Sequence, residues 1–453
     1  MDFGNGTYQA WQKIVDAKIT PDAIIQMVAD SGLRGRGGAG FPTGKKWRLM
    51  ADQPGDVKYV ICNGDEGDPG AFMDRAIMEE CPHIILEALK IAGYAVGAKN
   101  GVIYVRAEYP LAVQSLQTAI KEARQLGQLG AGFDVDIRLG AGAYVCGEET
   151  ALIKSIEGQR GEPNPRPPYP TTAGLYGQST MINNVETLAN IPNIILHGAA
   201  AFPNTKIFAV SGAVQKSGLV EVPLGTTIRQ LVFDYCGGPQ PGHQIKAVQI
   251  GGPSGGCIPA SLFDTPLDYE SIKSLGAILG SGGLVVLDET TCMVNFAKFF
   301  VQFSASESCG KCTPCRVGNQ KLLALLDKVT AGQATPADLA QIQTLSQIIM
   351  DTSLCGLGQS SPTPVLTALR YFADEFQAHL QGRCPAGVCF AGYTITERCV
   401  GCGLCARRCP VHAIRGELKQ QHHIDPQVCV KCGLCASICP THAITGGKNA
   451  SHD

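Results

Sequence analysis

Apolar positions in this chain come in short stretches with two different periods. Ile24 to Gly32 follows helical spacing, whereas Val57 to Cys62 and Asp134 to Leu139 follow strand spacing, and Ala151 to Glu157 is helical again. Between Ile207 and Leu287 short apolar strands alternate with turns at Gly237, Gly251 and Gly255, which predicts a small β-rich unit. Asn319 to Thr330 and Pro336 to Met350 are expected as helices of a bundle. The longest apolar run, Ile84 to Ala98, is broken by Glu87 and Lys90 and is shorter than the ~18 residues that cross a bilayer, so no direct membrane insertion is expected.

Composition narrows this picture. A chain of 453 residues, 45% of them hydrophobic, is long enough for about three domains with real cores. A net charge of −2 gives no field that would recruit nucleic acid. Twenty cysteines without a charged, apolar leader point to a reducing, cytoplasmic setting. Glycine is enriched, 54 residues, which signals loops where backbone closely approaches something.

The cysteine spacing carries chemistry. Cys399-x2-Cys402-x2-Cys405-x3-Cys409-Pro410 recurs as Cys429-x2-Cys432-x2-Cys435-x3-Cys439-Pro440. Three thiolates at this spacing hold one cubane and the fourth reaches the other. Cys399, Cys402, Cys405 and Cys439 are therefore expected at one [4Fe–4S] cluster, and Cys429, Cys432, Cys435 and Cys409 at a second. Zinc knuckles or a disulfide scaffold are the alternatives. Cys309, Cys312 and Cys315 repeat the spacing, with Cys355 as a distant fourth thiolate, for a third cubane or a zinc site. The segment His379, Cys384, Cys389 is a three-ligand set that Cys292 could complete as a structural zinc site; reduced linker thiols are the alternative. Cys62, Cys81, Cys146, Cys236 and Cys257 have no metal spacing and are expected as structural side chains.

Three glycine-rich loops stand out upstream. Gly35-Arg36-Gly37-Gly38, followed by Phe41, Lys45 and Lys46, has the composition of an anion nest, although an ordinary connection has the same look. Asn63-Gly64-Asp65-Glu66-Gly67-Asp68 follows the first strand, and Gly140 to Thr150, with Tyr144, Gly147, Glu148 and Glu149, follows the second. Taken singly, Glu148 and Glu149 read as helix-entry carboxylates.

Together these motifs resemble, over nearly the whole chain, the NADH-binding flavoprotein subunit of respiratory complex I and of soluble NAD-linked hydrogenases and formate dehydrogenases. The resemblance implies an FMN phosphate on Gly35, Arg36, Gly37 and Gly38 with Lys46. It implies a flavin held by Asn63, Asp65, Glu66, Tyr144, Gly147, Glu148, Glu149, Asn183, Asn184 and Thr187. The NAD(H) adenine would lie between Phe41 and Tyr169; a core position is the alternative for Phe41. Glu66 and Asp68 are the candidate catalytic carboxylates. The chain departs from the family pattern at Leu49, at Asp68 in place of a glutamate, and at Arg166 in place of a lysine, which bears on NADH against NADPH preference.

The expected fold is α/β: a Rossmann-like FMN- and NAD(H)-binding domain over residues 1–204 and a ubiquitin-like β-grasp domain over 205–290. A four-helix bundle with a [4Fe–4S] cluster over 291–380, a hinge over 381–395, a ferredoxin-like domain over 396–447 and a tail over 448–453 complete it. No cysteine precedes Cys62, so a separate thioredoxin-like [2Fe–2S] subunit is expected as a partner. The resemblance implies a diaphorase subunit in a hetero-oligomer with a hydrogenase-, formate dehydrogenase- or transhydrogenase-type subunit. The two-cubane tail resembles electron-bifurcating, ferredoxin-linked enzymes. The alternatives are a non-bifurcating NADH dehydrogenase subunit, or an adaptor with a degenerate nucleotide site.

Overall fold

The computed structural model describes residues 8–389, 392–426, 428–429 and 432–446; the tail expected over 448–453 lies outside them. Four parallel strands, β1 (Lys58–Gly64), β2 (Asn100–Val105), β3 (Asp134–Leu139) and β4 (Ser179–Asn184), form a sheet of order β3-β2-β1-β4. The register aligns Gly64 with Val105 and Asn63 with Asn184, so the carboxyl ends of β1, β2 and β4 coincide along one edge. This pairing carries β1 beyond Cys62, two residues past the strand expected from spacing.

The apolar run at Ile84–Ala98 forms the helix Pro82–Val96, which Pro82 opens and Gly97, at φ 76°, closes. Glu87 and Lys90 are both buried in it. Glu87 accepts the Trp11 N–H at 2.9 Å, and the Lys90 ammonium donates to Gln128 Oε1 at 2.9 Å and lies 4.5 Å from the centre of the Trp11 ring. The two polar breaks are thus paired inside a core helix.

A second, mixed sheet contains β5 (Thr205–Gly212), β6 (Gly218–Pro223), β7 (Ile245–Ile250), β8 (Gly256–Pro259) and β9 (Gly283–Asp288) in the order β6-β5-β9-β7-β8. Only β5 and β9 run parallel. Cys236 and Cys257 are fully buried against this sheet and its neighbours. Helices Met293–Ser306, Asn319–Thr330, Pro336–Thr352, Thr363–Tyr371 and Ala373–Leu380 follow and share one core. The third of these runs two residues past Met350 and starts at a Thr335–Asp338 capping box. The last region holds two antiparallel pairs, Tyr393–Ile395 with Ile444–Gly446 and Ile414–Arg415 with His423–Ile424, and two short helices, Leu404–Arg408 and Leu434–Ser437. No helix among the described residues is long and apolar enough to cross a membrane.

One buried ion pair joins the two sheets. The Lys206 ammonium lies 3.2 Å from Glu186 Oε2, with the side chains 0% and 2% exposed, and also donates to the carbonyls of Arg36 and Ser281. The other Glu186 oxygen accepts the Ile207 N–H at 2.8 Å. Removing one partner strands a charge away from water, which costs about 3–5 kcal/mol. Lys206→Met is therefore expected to lower the thermal-unfolding midpoint sharply, and Lys206→Met/Glu186→Gln to recover part of the loss; equal midpoints for the single and double variants would contradict this account.

Candidate functional site

The carboxyl edge of the first sheet gathers the predicted residues. At the end of β1, Asn63 donates from its amide to the Gly147 carbonyl (3.0 Å) and accepts the Asp65 N–H (3.0 Å), so one side chain fastens the second glycine loop to the third. At the end of β4, Asn184 caps the helix Val185–Ala189 by accepting the Thr187 N–H at 3.1 Å and donates to Asp74. Thr187 Oγ1 accepts the Arg36 N–H at 2.8 Å, which brings in the first loop. A Cβ on Gly37 would sit 3.0 Å from Asn184 Cβ, a tight approach that glycine makes easy. Asn183 is buried beside these groups on β4.

The first loop uses part of its backbone within the protein. It follows the helix Pro21–Asp30, and the Gly35 and Arg36 amides are engaged by the Phe41 carbonyl and by Thr187. The Arg36 side chain is fully buried and turned toward the second domain, donating to Asn204 Oδ1 and the Thr205 carbonyl at 2.8 Å each. Lys46 contacts Glu149 and donates to the Ile182 carbonyl at 2.8 Å, and Arg166 approaches the other Glu149 oxygen at 3.8 Å. Glu148 caps the helix Glu149–Ile156, accepting the Thr150 and Ala151 amides at 3.0 Å, which is why that helix starts before Ala151. Phe41 and Tyr169 are 42% and 57% exposed, which sets aside the core reading of Phe41. Leu49 is exposed as well.

The acidic loop is held out of water. Burial pushes Glu66 up to about 7 although its carboxylate accepts the Asp74 and Arg75 amides at 3.1 and 3.0 Å. Burial also pushes Asp65 up to about 7, against the lowering effect of Arg106. Asp65 Oδ2 and Arg106 Nε are buried with no hydrogen-bond partner, two polar atoms that a bound polar molecule would satisfy. Asp68 accepts from the Tyr144 hydroxyl at 2.8 Å and the Ser281 hydroxyl at 2.6 Å, and burial raises its carboxyl above the ordinary range. Glu66 thus caps the helix Met73–Glu80, and Asp68 bridges two domains; each is tied down by donors rather than freely mobile.

Spacing did not reveal what the second domain contributes. Ser281 holds Asp68, the Tyr269 hydroxyl donates to the Gly35 carbonyl at 2.9 Å, and Gly252 packs on Asp68 so tightly that a Cβ would fall 2.4 Å from its carboxyl carbon. Packing alone was expected of this region. Arg106, just past β2, and Glu307, whose carboxylate accepts the Tyr144 N–H at 3.0 Å, were missed too. Both are charged residues at element ends, and only their tertiary neighbours mark them.

The cysteines assemble in the expected fours. Cys309, Cys312, Cys315 and Cys355 line one small cavity, together with Val145 and Pro163 from the first domain. Cys399, Cys402, Cys405 and Cys439 line a second, and Cys409, Cys429, Cys432 and Cys435 a third. The donor sets fit iron–sulfur clusters: thiolate-rich, small and apolar-walled. Burial pushes Cys355 up to about 11, so ionising it calls for a metal. The hinge set also converges, with one ligand atom each from Cys292, His379, Cys384 and Cys389 within 4.8 Å of one another. Cys292 Sγ lies 3.5 Å from His379 Nε2 and 3.4 Å from Cys389 Sγ, and hydrogen bonds from Cys389 and His379 hold Cys292 below the ordinary thiol range. The other His379 nitrogen faces the Glu375 carbonyl at 2.7 Å, an arrangement that orients metal-binding imidazoles.

Family models match in four places: the Nuo51 FMN-binding domain over residues 28–193, the SLBB domain over 207–258, the iron–sulfur binding region of NADH-ubiquinone oxidoreductase-F over 295–379 and a 4Fe–4S dicluster domain over 394–445. The NADP-reducing hydrogenase subunit HndC of Solidesulfovibrio fructosivorans is 51% identical, covering 92% of this chain and 88% of its own length. The chain belongs to the FMN-binding, iron–sulfur flavoprotein subunits of complex I and NAD-linked hydrogenases. An NADH-quinone oxidoreductase subunit of Rhizobium meliloti is 44% identical over 84% of this chain and 94% of its own length. A crystal structure of an NAD+-reducing [NiFe]-hydrogenase in the H2-reduced state aligns at TM-score 0.75 with 39% identity, covering 81% of this chain but only 63% of that one. As a member of this family, the chain is an oxidoreductase subunit with FMN-binding and 4Fe–4S regions.

Burial of Glu66 has a sign. Its folded value of about 7 lies above the ordinary 4.5, so folding favours the protonated form; that stabilisation is complete below about 4.5 and is lost as pH rises toward 7. Thermal midpoints of wild type and Glu66→Gln should therefore diverge across this window, the variant gaining relative to wild type as pH rises. A difference independent of pH would refute the buried-carboxyl account.

Proposed function

We propose that this chain is the diaphorase subunit of a cytoplasmic, hetero-oligomeric oxidoreductase that exchanges hydride with NAD(H) and sends single electrons toward partner subunits. A bound FMN supplies the switch from hydride to single-electron chemistry, and [4Fe–4S] clusters supply the carriers. The observation that carries the reading is a shared loop: Tyr144 bonds Asp68 in the candidate flavin pocket, while the next residue, Val145, lines the cavity of Cys309, Cys312, Cys315 and Cys355. Two redox sites separated by one loop suit direct electron transfer.

In this reading Asp65, with its unpartnered Oδ2, and Asn63 orient the flavin, and Lys46 with the amides beyond Arg36 hold its phosphate. Glu66 and Asp68 are the carboxylates at the nicotinamide side, their hydrogen bonds fixing where each points. Phe41 and Tyr169 offer aromatic faces to the adenine. Arg166, a planar donor near Glu149, bears on the choice between NADH and NADPH. The ubiquitin-like order of the second sheet supports the β-grasp assignment. The two tail clusters are a branch to ferredoxin, in a bifurcating complex with a thioredoxin-like [2Fe–2S] subunit and a hydrogenase-, formate dehydrogenase- or transhydrogenase-type subunit. The hinge ligands hold one structural zinc, for which sulfur atoms about 3.8 Å apart are ideal.

Anaerobically purified protein is expected to contain one FMN, about twelve irons and one zinc. NADH should bleach the flavin, and His379→Ala should lose the zinc while keeping the irons. Full iron with no flavin and no bleaching would favour an electron-transfer adaptor instead.

A further inference from the structure

The hinge brings two sulfur atoms together at the wall of an open cavity. Cys292 immediately precedes the helix Met293–Ser306 and is 2% exposed, whereas Cys389, in the connection to the tail, is partly exposed. Their Sγ atoms lie 3.4 Å apart although 97 positions separate them in the sequence. Thiolates bound tetrahedrally to one zinc would stand about 3.8 Å apart, so this pair is already closer than a shared metal requires. Both residues also line a cavity of about 970 Å³, together with Asn295, Lys298 and Phe299, and its walls do not include Cys384. Phe299 is 53% exposed, which puts the mouth at the surface. A cavity of this size admits a small organic molecule.

We propose that Cys292 and Cys389 form a thiol–disulfide exchange site, at which a low-molecular-weight disulfide entering the cavity converts the pair into one protein disulfide. Cys389, the more exposed, attacks one sulfur of the small molecule; a mixed disulfide forms and one small thiol leaves. Cys292 then attacks the Cys389 sulfur and expels the second small thiol. Two protein thiols lose two electrons and two protons, and the small disulfide takes up both. Where a metal occupies the hinge, the two sulfurs react as thiolates and the small molecules leave as thiolates. The metal ion then departs, because His379 and Cys384 are only two of its four ligands.

The partners decide what the bond does. A link between Cys384 and Cys389 would stay within the connection, whereas Cys292 is packed in the core of the helical bundle. The Cys292–Cys389 bond therefore pins the connection to the bundle after the metal has gone. The tie is lost only when the site is both reduced and empty. In a reducing setting the bond forms when the small-thiol pool turns oxidising, which makes it a sensing modification rather than a permanent staple. The exchange itself is independent of the functional reading above; the release of a metal rests on the zinc reading of the hinge.

The test treats the full, anaerobically purified chain with glutathione disulfide, blocks the remaining thiols with N-ethylmaleimide and maps the peptides without reduction. Iron and zinc are counted before and after. The expected result is one peptide pair joined through Cys292 and Cys389, with about one zinc released for each link and the iron unchanged. Cys384→Ser should still form the link, and Cys389→Ser should lose it. A link through Cys384 instead, a glutathione adduct that never resolves, or loss of iron before any link forms would overturn the proposal. So would the absence of exchange in protein whose zinc has first been removed by a chelator. A Cys292–Cys389 link formed with no zinc released would uphold the thiol pair and defeat only the zinc reading. If a serine variant loses its iron, the wild-type peptide map decides the matter by the same criteria.

Discussion

Desolvation of carboxylates is the constraint on which the rest of this structure depends. Glu66, Asp74 and Glu186 are buried at the carboxyl edge of one parallel sheet, with the Asp65 side chain only 4% exposed beside them. Each such group costs several kcal/mol unless it is supplied with donors or kept neutral. Helix amides serve Glu66, the Asn184 amide and the Glu186 N–H serve Asp74, and Lys206 with the Ile207 N–H serves Glu186. Because Lys206 and Ile207 belong to the second sheet, satisfying these acids also docks the second domain. That docking places Ser281 on Asp68 and Tyr269 on the first glycine loop. The pocket and the domain junction are one hydrogen-bonded unit, so neither can be varied independently.

The loop from Gly140 to Glu149 extends the same logic to the iron–sulfur site. Its backbone at Tyr144 is held by Glu307, two residues before Cys309, and its side chain packs edge-on to Phe303 at 5.4 Å. A second connection runs through Glu162, which meets Lys154 at 3.1 Å and Lys311 at 3.2 Å, while Lys311 also donates to the Pro163 carbonyl. Arg160 donates to the Cys309 carbonyl at 2.6 Å. Several polar ties therefore fix the set of Cys309, Cys312, Cys315 and Cys355 against the first domain, and a fixed separation is what an electron relay needs.

Sequence spacing was legible wherever ligands lie close together in the chain or the repeat is explicit. The pairing of Cys439 with the first tail set and Cys409 with the second was read from spacing, and the cavities have that composition. The convergence of Cys292 with His379, Cys384 and Cys389 was also anticipated from residue types. Contacts spanning domains were not legible: nothing local marks Lys206, Ser281 or Tyr269. Arg36 and Glu148 show how composition leaves side-chain roles open. Both sit in glycine-rich loops of the right composition, yet one guanidinium bonds the second domain and one carboxylate caps its own helix. Composition says that polar groups are needed, but only the fold says which of them other contacts already occupy.

The hinge donors also bear on how far the tail can move. Cys292 and His379 lie at the ends of packed helices, and Glu375 fastens them together by accepting the Met293 N–H at 2.9 Å and meeting the His379 ring through its carbonyl. This half of the site is preorganised, whereas Cys384 and Cys389 come from the connection to the tail. Without a metal, the chain between Leu380 and Tyr393 could extend to roughly 45 Å at 3.3–3.6 Å per residue. With Cys389 captured by a metal, the four residue steps from Cys389 to Tyr393 span at most about 14 Å. A metal there would therefore act less as a support for the bundle, whose helices already share an apolar core, than as a leash. It would hold the two tail sites within a short radius of the bundle.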